Sequence, residues 1–206
     1  VTMKQETGNN NPTATKKVSI QLKLGGHSFS SDMLPAEAAD ADMTEVIVST
    51  EKCVLVPASV FEPQTAEQYL SINGLPCDMD ECAVCSQETD GTVAVIAVAS
   101  ECVKIINECT KGKAVFTTPL LHKYDDRGNT LYIYIYGGVA FLKLYNDDKL
   151  RFAEAVRICN NDDVLYYTSL LAEEFDLGNY AINVSGDSAS NVVHLLKHYY
   201  KNVRCA

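Results

Sequence analysis

Residues 130–158 read TLYIYIYGG (130–138), VAFLKLYNDD (139–148) and KLRFAEAVRI (149–158). In the first part Leu131, Ile133 and Ile135 alternate with Tyr132, Tyr134 and Tyr136. That is the period of two of a strand with distinct faces, written in β-branched and aromatic residues. Gly137-Gly138 is a two-residue hairpin turn, because glycine enters positive φ without steric cost. Asn146-Asp147-Asp148 makes a second turn, so three strands meander with almost nothing between them. The pattern then shifts to helical. Asn160 or Asn161 caps a helix with Asp162 and Asp163 at the positive end of its dipole. Val164, Tyr167, Leu171 and Phe175 form its apolar stripe and Gly178 its stop. Residues 180–185 are a strand. Asp187 or Ser188 begins a helix through Tyr200, with Val192, Leu195, Leu196 and Tyr199 inward, and 203–206 form a short edge strand.

The upstream part follows a related plan. Residues 1–16 are polar and aperiodic, the composition of a disordered tail. Residues 18–31, VSIQLKLGGHSFSS, form another strand turning at Gly25-Gly26. Residues 33–43 are a loop or short helix, and EVIVS (45–49) and CVLVP (53–57) are β runs. Thr65 and Gln68 read as a capping box for a short helix with apolar Tyr69, Leu70 and Ile72, stopped at Asn73-Gly74. A strand over about 81–86 and the hairpin signal Thr89-Asp90-Gly91 lead into 92–99, apolar enough to be buried on both faces. Ser100 caps a helix running to Lys111 with Cys102, Ile105, Ile106 and Cys109 inward, and 113–121 is another strand. YDDRGN, 124–129, is polar and marks a boundary.

A chain of 206 residues with 47% hydrophobic residues holds one domain or two small ones. A net charge of −10 opposes phosphate backbones and anionic lipid, so neither nucleic acid nor membrane is an expected partner. There is no apolar run long enough to span a bilayer. Of the eight cysteines, Cys102 and Cys109 fall on one helix face, and Cys53 and Cys159 in or beside strand-like runs. They read as small core residues of a reduced, cytoplasmic protein.

Both halves begin with a Gly-Gly hairpin and then alternate helix and strand. Three meandering strands followed by helix–strand–helix–strand is the ribonuclease H-like arrangement, and two tandem copies make the architecture of actin and the sugar kinases. The expectation is an α/β protein with mixed sheets and flanking helices: a tail at 1–16, a first subdomain at 17–123 and a second at 124–206. Several stretches strengthen it: LVPASVF (55–61), EQYLSINGL (67–75), GTVAVIAV (91–98), residues 144–178 and Ser185-Gly186-Asp187. Over about 17–206 these resemble an uncharacterised family from Bacteroidetes, a domain of unknown function with an actin-like fold. The resemblance implies fold; its motifs are structural.

An actin-like ATPase carries an acid in each phosphate-binding hairpin to hold Mg²⁺, and phosphoryl transfer depends on that metal. Here Leu24-Gly25-Gly26-His27 and Tyr136-Gly137-Gly138-Val139 have none. Gly186, between strand and helix, lies where a helix N-terminus could take an anion, but Asp187 beside it repels phosphate and serves better as the helix cap. If nucleotide binds, Gly25, Gly26, Gly137, Gly138 and Gly186 are the residues to receive it. No catalytic residue, resident cofactor or metal is expected. A ribonuclease would need acids on its first strands, and 17–24 and 130–136 have none. Cys82-x-x-Cys85 with Cys77 has metal-like spacing but no fourth thiol. His194 and His198 are four apart, without the intervening Glu of a zinc hydrolase. The tyrosines 132, 134 and 136 read as packing residues. The first reading is therefore a non-catalytic actin-like protein that binds an unknown protein partner. The other is an enzyme for a nucleotide or small molecule, using the cleft between halves and acids such as Asp125, Asp126 and Asp147.

Overall fold

The computed structural model describes residues 16–23, 34–125 and 128–206. Residues 1–15 of the expected tail (1–16), the Gly25-Gly26 turn with its return strand, and Asp126 lie outside them. The chain divides into two compact units, Val1–Leu121 and His122–Ala206.

The first unit contains β1 (Lys17–Lys23), β2 (Met43–Ser49), β3 (Cys53–Pro57), α1 (Ala66–Ile72), β4 (Glu81–Cys85), β5 (Thr92–Ala99), α2 (Ser100–Cys109) and β6 (Ala114–Thr117). They form two separate sheets. One is parallel, in the order β1-β2-β6. The other is antiparallel, in the order β3-β5-β4. The adjacent β runs 45–49 and 53–57 therefore belong to different sheets, and the block from β3 to β5 interrupts the simple helix–strand alternation expected here. β5 is central in its sheet and Val93 to Val98 are all buried, as the apolar run predicts. Lys52 ties this block together, reaching Asp78 and Glu81 at 2.7 Å each. Burial by itself would lower the Lys52 ammonium, but the two carboxylates raise it.

Three local expectations are corrected. Thr65 precedes α1 without a side-chain cap; its hydroxyl donates back to the Glu62 carbonyl at 3.0 Å. Ile72 at the end of α1 is 81% exposed, and Leu70 alone of its apolar trio is fully buried. Ser100 is likewise the first helical residue of α2, not its cap.

The second unit contains β7 (Thr130–Tyr136), β8 (Val139–Asn146), β9 (Lys149–Arg157), α3 (Asn161–Glu174), β10 (Ala181–Gly186), α4 (Ala189–Leu196) and β11 (Val203–Cys205). Its sheet runs β11-β10-β7-β8-β9. The meander β7-β8-β9 is antiparallel, and β10 and β11 add in parallel on the other side. Both hairpin turns use positive φ at two successive residues, Gly137 and Gly138 in one, Asp147 and Asp148 in the other, which matches the twist of the flanking strands. Leu131, Ile133 and Ile135 point into the core with Val164, Leu171, Val192 and Leu196 from the helices. The row Ile182–Leu131–Leu144, one residue from each of three neighbouring strands, is fully buried.

α3 starts as its sequence implies. The Asn160 side chain accepts from the Asp162 and Asp163 amides, and the Asp163 carboxylate accepts in return from the Asn160 amide. It ends at Glu174, before a 3-10 turn over Leu177–Asn179 that contains Gly178. α4 is shorter than expected, ending at Leu196, and Tyr199 is 65% exposed while Val193 is buried in its place. Among the described residues no helix is long and apolar enough to cross a membrane.

Candidate functional site

β7 and β10 lie side by side in parallel, with Gly186 in register with Ile135. This brings the ends of the two strands together, and with them three of the five glycines singled out above: Gly137, Gly138 and Gly186. Gly25 and Gly26 lie outside the described residues.

The approach is close because Gly186 has no side chain. At its φ of +92°, a Cβ would sit 1.9 Å from the Ile135 carbonyl oxygen. The next amide, that of Asp187, donates to that same oxygen at 2.7 Å. Asp187 is thereby aimed at the hairpin, and the Gly137 amide donates to its Oδ2 at 2.9 Å. The expected role of Asp187 as helix cap is corrected. The residue before α4 is Ser188, held at φ +54° with no side-chain cap bond, and the Asp187 carboxylate serves the hairpin 50 residues away.

The chemical consequence is specific. In a phosphate-binding hairpin, turn amides are the donors that face the anion. Here the Gly137 amide already has an anion, and it is covalently part of the protein. A phosphate entering this turn would have to displace Asp187 and then sit against its negative charge. The carboxylate is felt nearby as well: the Tyr136 phenol is pushed up, by burial first and by Asp187 second.

The tyrosine row packs across the hairpin and onto the segment before it. Tyr134 lies against Phe141 with ring centroids 6.1 Å apart. Tyr132 stacks on Tyr124 at 3.6 Å and meets Tyr145 edge-on at 6.1 Å. Lys143 is buried on this side, its Nζ donating to the His122 carbonyl at 2.7 Å and lying 5.5 Å from the Tyr124 ring centre. Burial, and then the neighbouring Tyr145, Tyr132 and Tyr134, push the Tyr124 phenol well above its ordinary value.

The cysteine spacing does not become a shared site. Cys82 and Cys85 are three apart on β4, opposite Val98 and Val95 respectively, so their side chains leave opposite faces of the strand. Cys77 and Cys85 pack against the apolar cluster of Val56, Leu70, Val95 and Ala97. Burial raises both thiols above their ordinary value, and Glu67 and Glu81 raise Cys77 further. Asp78 and Glu81, the acids beside them, are engaged by Lys52. His194 and His198 do come together, their rings edge-on at 5.3 Å. Among the described residues no three His, Cys, Asp or Glu side chains gather as metal ligands would.

A further feature passed unnoticed in the sequence. Glu154 lies opposite Leu142 on β9, between Phe152 opposite Leu144 and Val156 opposite Ala140. It thus faces the helix side of the sheet, in an apolar row. The signal was the string Phe152-Ala-Glu154-Ala-Val156, an acid at the one position where alternation demands an apolar residue.

Comparison with known proteins fits this architecture. A protein from Bacteroides thetaiotaomicron VPI-5482, described as having an actin-like ATPase fold and unknown function, superposes with a TM-score of 0.74 at 15% identity, over 93% of this chain and 91% of that one. At that identity the likeness shows the fold alone, and the fold is actin-like. The cytoplasmic domain of EpsL, an inner-membrane component of the type II secretion system of Vibrio cholerae, matches at a TM-score of 0.45 and 13% identity, over 93% of this chain and 86% of that one. The PilM–PilN type IV pilus biogenesis complex matches equally at 0.45 and 13%, over 84% and 75%. No curated protein matches. The family described as protein of unknown function (DUF3822) matches residues 38–203, and the chain belongs to it.

Proposed function

We propose that this protein is a non-catalytic, cytoplasmic member of the actin-like fold that acts by binding another protein. Nucleotide, metal, nucleic acid and membrane have no part in that reading. The observation that carries it is the Asp187 carboxylate on the Gly137 amide. The hairpin of the second unit has kept its glycine geometry, and its donor is closed from within. Two features of the sequence point the same way. The turn has no acid to hold Mg²⁺, and the chain carries a net charge of −10, unfavourable for any polyanion.

Thermal unfolding with and without millimolar MgATP tests it. A nucleotide present at 100 times its dissociation constant would stabilise the protein by about 2.7 kcal/mol, a clear rise in midpoint. The expected result is an unchanged midpoint. A rise that Asp187→Asn enlarges would show that nucleotide competes for the turn, and the reading would be wrong.

A further inference from the structure

Among the described residues β9 is an edge strand, since the sheet order ends on it. Between it and α3 lies a groove lined by Leu142, Phe152, Val156, Tyr167, Leu170 and Leu171. Two carboxylates, Glu154 and Glu174, complete the wall, and the cavity volume is about 140 Å³. That is well below the roughly 300 Å³ at which pockets begin to hold drug-sized ligands or cofactors, so it suits one side chain. Neither carboxylate has a hydrogen bond or ion pair among the described residues. The helix wall is also more apolar than a surface needs: Tyr166 and Leu170 of α3 are 59% and 42% exposed. Glu154 remains exposed to an incoming partner, and partial desolvation beside the groove raises its carboxyl above its ordinary value.

We propose that β9 and this groove bind an extended segment of a partner protein, which pairs with the free edge of β9 and places a lysine or arginine side chain between Glu154 and Glu174. This deepens the protein-binding reading above by giving the partner's chemistry. Backbone pairing with an exposed edge supplies affinity, and alternate side chains supply specificity. An inward-facing charge on an edge strand also repels strands that bring no counter-charge. The same Glu154 thus rejects apolar strands and accepts one with a cation in register. A second copy of this chain is a poor occupant. The face of β9 that would meet the groove carries Phe152, Glu154 and Val156 and offers a carboxylate where a cation is needed. The apolar walls suit the methylene stem of a basic side chain.

The probe is the blocked heptapeptide Thr-Val-Thr-Lys-Thr-Val-Thr, titrated into the full chain by calorimetry, with amide exchange read in parallel. Binding should slow exchange in β9 and leave the opposite edge strand, β11, unchanged. Glu154→Gln, or norleucine in place of the peptide's lysine, should weaken binding about tenfold, as loss of one charge-assisted hydrogen bond does. Leu170→Gln should weaken it through the groove wall. The proposal is overturned if no heat or protection appears at millimolar peptide, or if Glu154→Gln and the norleucine peptide leave affinity unchanged. It is overturned equally if butylammonium binds as tightly as the peptide, or if the chain dimerises through β9 and the peptide does not compete. None of these results bears on MgATP, so failure here leaves the non-catalytic reading to stand or fall on its own test.

Discussion

Gly186→Ala is expected to destabilise the second unit by about 2–5 kcal/mol, combining an unfavourable positive φ with overpacking against backbone. The reason is where the new methyl would go. A Cβ at Gly186 lies 1.9 Å from the Ile135 carbonyl oxygen and 2.9 Å from its carbon, and neither is a side chain that can swing aside. β10 would have to draw away from β7, and the Asp187 amide would lose its 2.7 Å bond to the same oxygen. The Asp187 carboxylate would then leave the Gly137 amide, so the substitution should also open the hairpin turn. Gly74→Ala is the control. Gly74 has a similar positive φ, +74°, but nothing within 4 Å of its added Cβ, so it should cost only the strain, about 1–2 kcal/mol. Urea unfolding followed by circular dichroism checks both. Equal losses at the two positions would show that crowding at Ile135 is not what fixes Gly186.

The second large effect is in the core. Leu131 is fully buried on the central strand of its sheet, between Ile182 and Leu144, which are fully buried too. Leu131→Ala removes side-chain atoms from the middle of that row, where strands on both sides restrain collapse. A loss of about 2–5 kcal/mol follows from transfer and cavity terms together. Leu150→Ala, at a residue 45% exposed on the edge strand, should by contrast change stability by no more than about 0.5 kcal/mol. The same urea series measures it. A Leu131→Ala loss below 1 kcal/mol would mean that the β7 floor is not the organising core of the second unit.

The β7–β9 meander was legible because its signals are local. Alternation places Leu131, Ile133 and Ile135 on one face whatever the rest of the chain does, and successive glycines announce a turn. The Asn160 cap was legible for the same reason: its partners are Asp162 and Asp163. What failed to show was pairing at a distance. EVIVS and CVLVP look alike as strings, and nothing in either says that one joins a parallel sheet and the other an antiparallel one. Thr65 has the residues of a capping box, yet its hydroxyl finds the Glu62 carbonyl instead. The end of α4 was hidden because Leu196 and Tyr199 both fall at helical spacing on the apolar stripe. After Leu196 the chain tightens, His198 and Tyr199 donating to Leu195 and Leu196, and Tyr199 turns outward.

The candidate site followed the same division. The positive-φ turns at Gly137, Gly138 and Gly186 were legible from glycine chemistry. The role of Asp187 was missed, because an acid before a helix reads as a cap and its acceptor role belongs to a turn 50 residues earlier. Glu154 was visible as an acid in an alternating strand. Its meaning waited on the sheet order, which alone shows that β9 is an edge and that Glu154 lies on the helix side.

The Asp187 carboxylate holds the Gly137 amide of the second unit's hairpin. The most direct measurement is the amide ¹H–¹⁵N resonance of Gly137, recorded as MgATP is added to the intact chain. With Asp187 in place, the Gly137, Gly186 and Ser188 resonances are expected to stay where they are at millimolar nucleotide. A saturable shift of Gly137 together with Gly186 in the unmodified protein would contradict it, and would show that nucleotide displaces Asp187 from the turn.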